Sequence, residues 1–225
     1  MSRQYTLPLP HREALTANDF IVSDSNREAV AWIDAWPGWP SPCLVLIGPS
    51  GSGKTHLAYV WLPKAQAVNI RLQNIRDQNL DQLVQKNPNL IIDNADKIAG
   101  NAGDEENLFH LYNLVREHKG SLMLVASLPP AQWNIVLPDL RSRLLASPVA
   151  LIGAPDDALM SMMLVKQFHD RQITIGEDVI AYLMPRMERT TSALRRIVDS
   201  LDQASLAEKK NVTVALARRV LEANA

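Results

Sequence analysis

Gly48-Pro-Ser-Gly-Ser-Gly53-Lys54-Thr55 satisfies the spacing G-x-x-x-x-G-K-[ST], and it directly follows the apolar run Cys43-Leu-Val-Leu-Ile47. A short, continuously apolar run closed by glycine suits a strand buried on both faces of a parallel sheet. The turn after it has a defined chemistry. Its glycines let backbone N–H groups curl around phosphate oxygens, and the N-terminus of the next helix adds partial positive charge. Lys54 is placed to hold β- and γ-phosphates, and Thr55 to ligate Mg²⁺. Gly48, Ser50, Gly51, Ser52, Gly53, Lys54 and Thr55 are therefore the candidate phosphate-binding residues.

A loop of this kind needs a parallel sheet to carry it, and the rest of the chain supplies one. Helical spacing runs from Lys54 to Leu62, followed by an apolar stretch at Ala67–Ile70 and a helical pattern at Asn74–Gln85. Asn89–Ile92 reads as a strand, Leu108, Leu111, Tyr112 and Val115 fall at helical spacing, and Ser121–Ala126 and Val149–Ile152 read as strands. Five strands with helical connections predict a doubly wound α/β sheet. Ahead of it, Ser25 with Glu28 three positions on has the spacing of a capping box. Ala29, Val30, Ile33 and Trp36 supply an apolar stripe that Pro37 ends. From Pro155 onward only helical patterns occur, with Leu194, Ile197, Val198 and Leu201 along one face, which predicts a small all-helical lobe.

Composition removes several classes of function. With 47% apolar and 21% charged residues the chain can bury a sizeable core, which excludes wholesale disorder. Lys plus Arg number 23 against 24 Asp plus Glu, so there is no global basic field to gather nucleic acid non-specifically. The single Cys43 cannot form an internal disulfide, and no apolar stretch approaches the roughly 18 residues of a membrane span. A cytoplasmic location without membrane contact is the expectation.

Leu90-Ile-Ile-Asp93 has the form of a second nucleotide motif, a buried strand delivering a carboxylate to the metal at its C-terminal edge. Asn94 follows, where many ATPases of this design place a second carboxylate. An amide orients a water weakly but cannot take its proton, and loss of a general base costs about 10²- to 10⁴-fold. Slow intrinsic hydrolysis is expected, with Asp96 the nearest further carboxylate.

These motifs, together with Phe20-Ile-Val-Ser-Asp-Ser-Asn26, Gly53-Lys-Thr-His-Leu57, Ile91-Ile-Asp-Asn94, Leu137-Pro-Asp-Leu-Arg-Ser-Arg-Leu144 and Leu201-Asp-Gln-Ala-Ser205, resemble the DnaA-like AAA+ family of bacterial replication proteins, most closely its short Hda-type members. The similarity runs over essentially the whole chain. It implies an AAA+ P-loop NTPase with a five-stranded parallel sheet flanked by helices (residues 19–154) and a small all-α lid (residues 155–225), preceded by an extended tail (residues 1–18).

The resemblance also implies roles for individual residues. Ile21, Val22 and His56 join the phosphate loop, Asp93 and Ser127 in binding ADP or ATP; Ser127 matches the position that reads the γ-phosphate. Thr55 and Asp93 hold Mg²⁺. Arg143 matches the arginine finger that enters a neighbouring subunit's nucleotide site, with Arg141 the less favoured occupant of that role. Ser192 stands where the initiator carries a lid arginine, flanked by Arg189 and Arg195. Gln4-Tyr-Thr-Leu-Pro-Leu9 resembles the peptide by which replication proteins engage the β sliding clamp, with Gln4, Leu7 and Leu9 as its contacts. The implied function is docking on the DNA-loaded clamp and stimulation of ATP hydrolysis on the DnaA initiator, leaving it in the inactive ADP form. DNA would then be met indirectly through the clamp, direct sequence-specific binding being disfavoured because the chain stops at Ala225. Self-association stays open. The rival readings are a stand-alone ATPase motor or helicase loader, and an adaptor that binds nucleotide only for stability.

Overall fold

The computed structural model describes residues 20–71, 75, 79–208 and 210–223. The tail residues Gln4, Leu7 and Leu9, and four residues of the helix expected over Asn74–Gln85, lie outside them. Within them, five strands form one parallel sheet: β1 (Cys43–Ile47), β2 (Val68–Ile70), β3 (Asn89–Ile92), β4 (Ser121–Ala126) and β5 (Val149–Leu151), in the order β2-β3-β4-β1-β5. The connection from β1 runs to one edge of the sheet, and the one from β4 passes over β1 to the other edge. The C-terminal end of β1 lies at this change of direction, where open α/β sheets bind ligands.

Strand alternation divides the core into two. Cys43, Val45, Ile47, Leu90, Ile92, Leu122 and Leu124 face one side, where α3 (Leu80–Lys86), α4 (Ala102–Glu117) and α5 (Pro138–Leu145) contribute Val84, Leu111 and Leu140. Leu44, Leu46, Ile91, Met123 and Val125 face the other, against Ala29 and Ile33 of α1 (Arg27–Asp34) and Leu57 and Trp61 of α2 (Lys54–Ala65). Burial on both faces is why these strands read as continuous apolar runs.

Some local expectations give way to tertiary contacts. The helix expected from Ser25 begins at Arg27, with no side-chain cap hydrogen bond at Asn26. The Asn26 side chain instead accepts from Ser23 N and donates to the Ile21 carbonyl, while Ser25 O accepts from Gly153 N at 2.7 Å. Ser25, the first residue of the expected capping box, thus ties the Phe20–Asn26 segment to the end of β5. Helix α2 runs past Leu62 through Pro63 to Ala65, where Gln66 ends it in the left-handed conformation.

The second lobe consists of α6 (Asp157–Asp170), α7 (Glu177–Leu183), α8 (Thr191–Glu208) and α9 (Val214–Ala223) around their own core of Leu164, Phe168, Leu183, Leu194, Val198 and Leu201. The stripe read from the sequence at Leu194, Ile197, Val198 and Leu201 is buried.

Candidate nucleotide-binding site

The loop between β1 and α2 is held tightly to the sheet. A Cβ added at Gly48 would come within 2.3 Å of the Ile152 carbonyl oxygen, so only glycine fits there. Gly51 and Gly53 have φ of 74° and 96°. Lys54 Nζ donates to the carbonyls of Gly48 and Pro49, both at 2.8 Å. Burial pushes its ammonium below the ordinary lysine value, and the Asp93 and Asp96 carboxylates pull the other way. Ser52 Oγ is buried with no hydrogen-bond partner among the described residues. An unpaired buried hydroxyl costs free energy that an anionic acceptor would recover. The arrangement fits a phosphate chain.

Asp93 leaves the end of β3 beside this loop, and Thr55 Oγ1 donates to Asp93 Oδ2 at 3.0 Å. Two neighbouring oxygen groups are the usual protein share of a Mg²⁺ site, which takes its other ligands from phosphate and water. Among the described residues no cluster of three or more His, Cys, Asp or Glu offers an all-protein metal cage. Mg²⁺, when bound, would neutralise phosphate charge, with Thr55 and Asp93 to hold it.

Asn94 is exposed, with φ of 55°, and its N–H donates to Asp93 Oδ1 at 2.8 Å. Asparagine tolerates this left-handed conformation better than most residues, so the amide has a backbone reason to stand here. Asp96, which the sequence offered only as the nearest carboxylate, accepts from Ser127 N at 3.1 Å. It therefore ties the exit of β3 to the exit of β4, and with Asp93 it forms the negative field around Lys54. No local motif joins residues 31 positions apart.

The other expected residues fall around the loop. The Phe20 and His56 rings meet edge to face at 5.3 Å, with Ile21 and Val22 partly buried next in sequence to Phe20. The lid meets the loop directly: Thr191 N donates to Gly51 O at 3.0 Å, and Thr190 Oγ1 caps α8 by accepting from Ala193 N. Ser192 Oγ lies 3.2 Å from Thr190 Oγ1. Arg189 is engaged by Asp157 at 3.0 Å, and Arg195 is exposed. On α5, Arg141 is exposed, whereas Arg143 is partly buried with its guanidinium carbon 5.9 Å from the Tyr112 ring centre. Among the described residues, these arginines make no hydrogen bond or ion pair with the chain's own phosphate loop.

A parallel sheet in this strand order, a phosphate loop on the interior strand β1 and a helical lid seated on that loop define an AAA+ P-loop fold. Domain III of the replication initiation protein DnaA from Thermotoga maritima superimposes with a TM-score of 0.79 at 20% identity, covering 95% of this chain and 98% of that one. AMPPCP-bound DnaA from Aquifex aeolicus gives 0.73 at 16% identity, covering 88% and 68%. An uncharacterised protein of Haemophilus influenzae is 25% identical over 98% of this chain and 99% of its own length. Residues 157–221 match the family described as Hda, lid domain. The chain thus carries a segment that matches an Hda lid on a body with the fold of DnaA domain III. No helix among the described residues is long and apolar enough to cross a membrane.

Proposed function

We propose that this chain is a nucleotide-switched regulator of replication initiation that acts on DnaA. It binds ADP or ATP through Gly48–Thr55, with Thr55 and Asp93 holding Mg²⁺ and Ser127 reading the γ-phosphate side. Residues 1–18 dock on the DNA-loaded β clamp through Gln4, Leu7 and Leu9. The AAA+ face then offers Arg143 to the γ-phosphate of ATP-bound DnaA, hydrolysis follows, and DnaA is left in its ADP form. The observation that carries this reading is the Hda lid match over residues 157–221 on a DnaA-like body.

The chemistry assigned to Arg143 is charge stabilisation on the partner's nucleotide, which elsewhere contributes about 10³- to 10⁵-fold in rate. Asn94 stands where a second carboxylate would follow Asp93, and Asp96 is engaged by Ser127 N, which supports a reading in which the chain's own nucleotide serves as a conformational signal. The exposure of Arg141 against the partial burial of Arg143 beside Tyr112 favours a second reading, in which Arg141 is the finger.

The test is ATP hydrolysis on purified DnaA with and without this protein, with and without DNA-loaded clamp, and with Arg143→Ala or Arg141→Ala. Stimulation that needs both additions and is lost in Arg143→Ala is the expected result. Loss in Arg141→Ala alone moves the finger to Arg141. Robust clamp-independent turnover by the isolated protein would make it a motor, and intact clamp binding without stimulation would make it an adaptor.

A further inference from the structure

Glu105 is completely buried, and its carboxylate joins two segments that the sequence keeps apart. Oε1 accepts from Gly100 N at 2.8 Å. Oε2 accepts from Val136 N at 2.9 Å and Leu137 N at 2.7 Å, across 31 and 32 residues. Gly100 closes the segment that leaves β3 through Asp93, Asn94 and Asp96. Leu137 is the cap residue of α5, the helix bearing Arg141 and Arg143.

The need for this carboxylate is local to α5. A leucine has no side-chain acceptor to cap a helix, and Pro138 has no N–H to satisfy. Charge-assisted hydrogen bonds from backbone N–H to a carboxylate are among the stronger kinds, and three of them converge here. Tyr112, two turns further along the same helix α4, carries the ring beside Arg143. Helix α4 therefore holds α5 at its first turn through Glu105 and at its last through Tyr112. The far side of the Glu105 carboxylate grips the segment running back to Asp93, which Asp96 also ties to Ser127. The exposed Val136 side chain is presented by the same anchored backbone.

We infer that Glu105 is the positioning residue of the arginine helix, fixing α5 to the segment that leaves the nucleotide side of β3 so that the finger is presented in one orientation. The inference rests on the reading that an α5 arginine acts on the partner's nucleotide. Small misplacements of a positioned catalytic group are costly, on the order of 10²-fold for about 1 Å.

The experiment uses the full chain carrying Glu105→Gln or Glu105→Asp, beside Arg143→Ala and Arg141→Ala. Glutamine has a single acceptor oxygen and turns an NH₂ toward a donor, while aspartate is too short to reach both segments. Three quantities are read: DnaA ATP hydrolysis on DNA-loaded clamp as a function of added protein, ADP affinity of the chain itself, and hydrogen exchange at Gly100, Val136 and Leu137. The expected result is a maximal stimulated rate at least about tenfold lower at saturating protein. The half-saturating concentration and ADP affinity stay within about twofold, and exchange accelerates at those three amides. A merely structural role moves a different readout, because a partly unfolded preparation shifts half-saturation and regains the full rate when more protein is added; that pattern overturns the inference. Full maximal rate in both Glu105 variants, with loss in an arginine variant, overturns the inference alone. Retained stimulation in both arginine variants overturns the functional reading and the inference with it.

Discussion

Lys54 stands between opposed demands. Burial disfavours its charge, the Asp93 and Asp96 carboxylates favour it, and two of its donors are spent on loop carbonyls that a phosphate chain would replace. A hydrogen bond to a charged group is worth about 1.5–3 kcal/mol, so Lys54→Ala is expected to weaken ADP binding roughly 10- to 150-fold in a titration. The fold should survive, since the ammonium carries no core contact. Cys43 is the opposite case. Fully enclosed in β1, its thiol is pushed up to about 12 by burial, which a hydrogen bond with Ser147 only partly offsets. The thiolate is the reactive form, so an aromatic disulfide reagent should label Cys43 only as the protein unfolds. Rapid labelling under native conditions would show that β1 opens locally.

Asp156 joins elements in the way Glu105 does, but at the hinge between the lobes. It caps α6 by accepting from Leu159 N at 2.7 Å and also accepts from Ser25 N at 3.4 Å. Burial works to raise its carboxyl, yet the Leu159 N–H and the bonds from Ser23 and Ser25 prevail and hold it below the usual carboxylate value. A depressed folded value contributes stability that is present above the unfolded value, near 3.8, and is lost as pH falls through the folded one. Asp156→Ala should therefore cost about 0.5–2 kcal/mol in denaturant unfolding at neutral pH. Asp156→Asn should remove the part of the stability loss that the native chain shows below pH 3.8. An unchanged acid limb in Asp156→Asn would assign that loss to other carboxylates. What was legible beforehand follows the same division between local and long-range causes. Continuous apolar runs placed β1, β3 and β4, because strands buried on both faces leave no room for polar positions. The phosphate loop and Asp93 were legible because their chemistry is set by spacing along the chain. Glu105 and the Asp96–Ser127 tie were not, since their partners arrive through the sheet, and a buried acid in a helical pattern reads as a solvated one. The capping box at Ser25 misled for the converse reason: a sound local rule lost to the bond that the Ser25 carbonyl accepts from the distant Gly153 N–H. The helix read as ending at Leu62 runs on through Pro63, its last turn held by the buried Ala65 and by Lys64 donating to the Ile33 carbonyl.

Core and lid communicate through a narrow contact. Thr191 N reaches Gly51 O, and a Cβ built on Gly51 would stand 2.6 Å from Thr190 Cβ. The peptide proposed to wrap phosphate is thus also the peptide on which α8 rests, so a bound nucleotide and the lid would share one segment of backbone. A ligand bound only by the folded state stabilises it by about 2.7 kcal/mol at a hundredfold excess over Kd. Through Gly51 that stabilisation should extend to the lid, slowing hydrogen exchange in the first turns of α8 as well as in α2. Gly51→Ala sets the two effects apart. Its φ of 74° costs an alanine about 1–2 kcal/mol, and its methyl displaces Thr190. ADP should then still protect α2, with weakened affinity, while protection of α8 is lost. If α8 remained protected in Gly51→Ala, the lid would be coupled through the other route the structure provides, Asp156 and the Phe20–Asn26 segment, and the double variant Gly51→Ala, Asp156→Ala would be needed to release it.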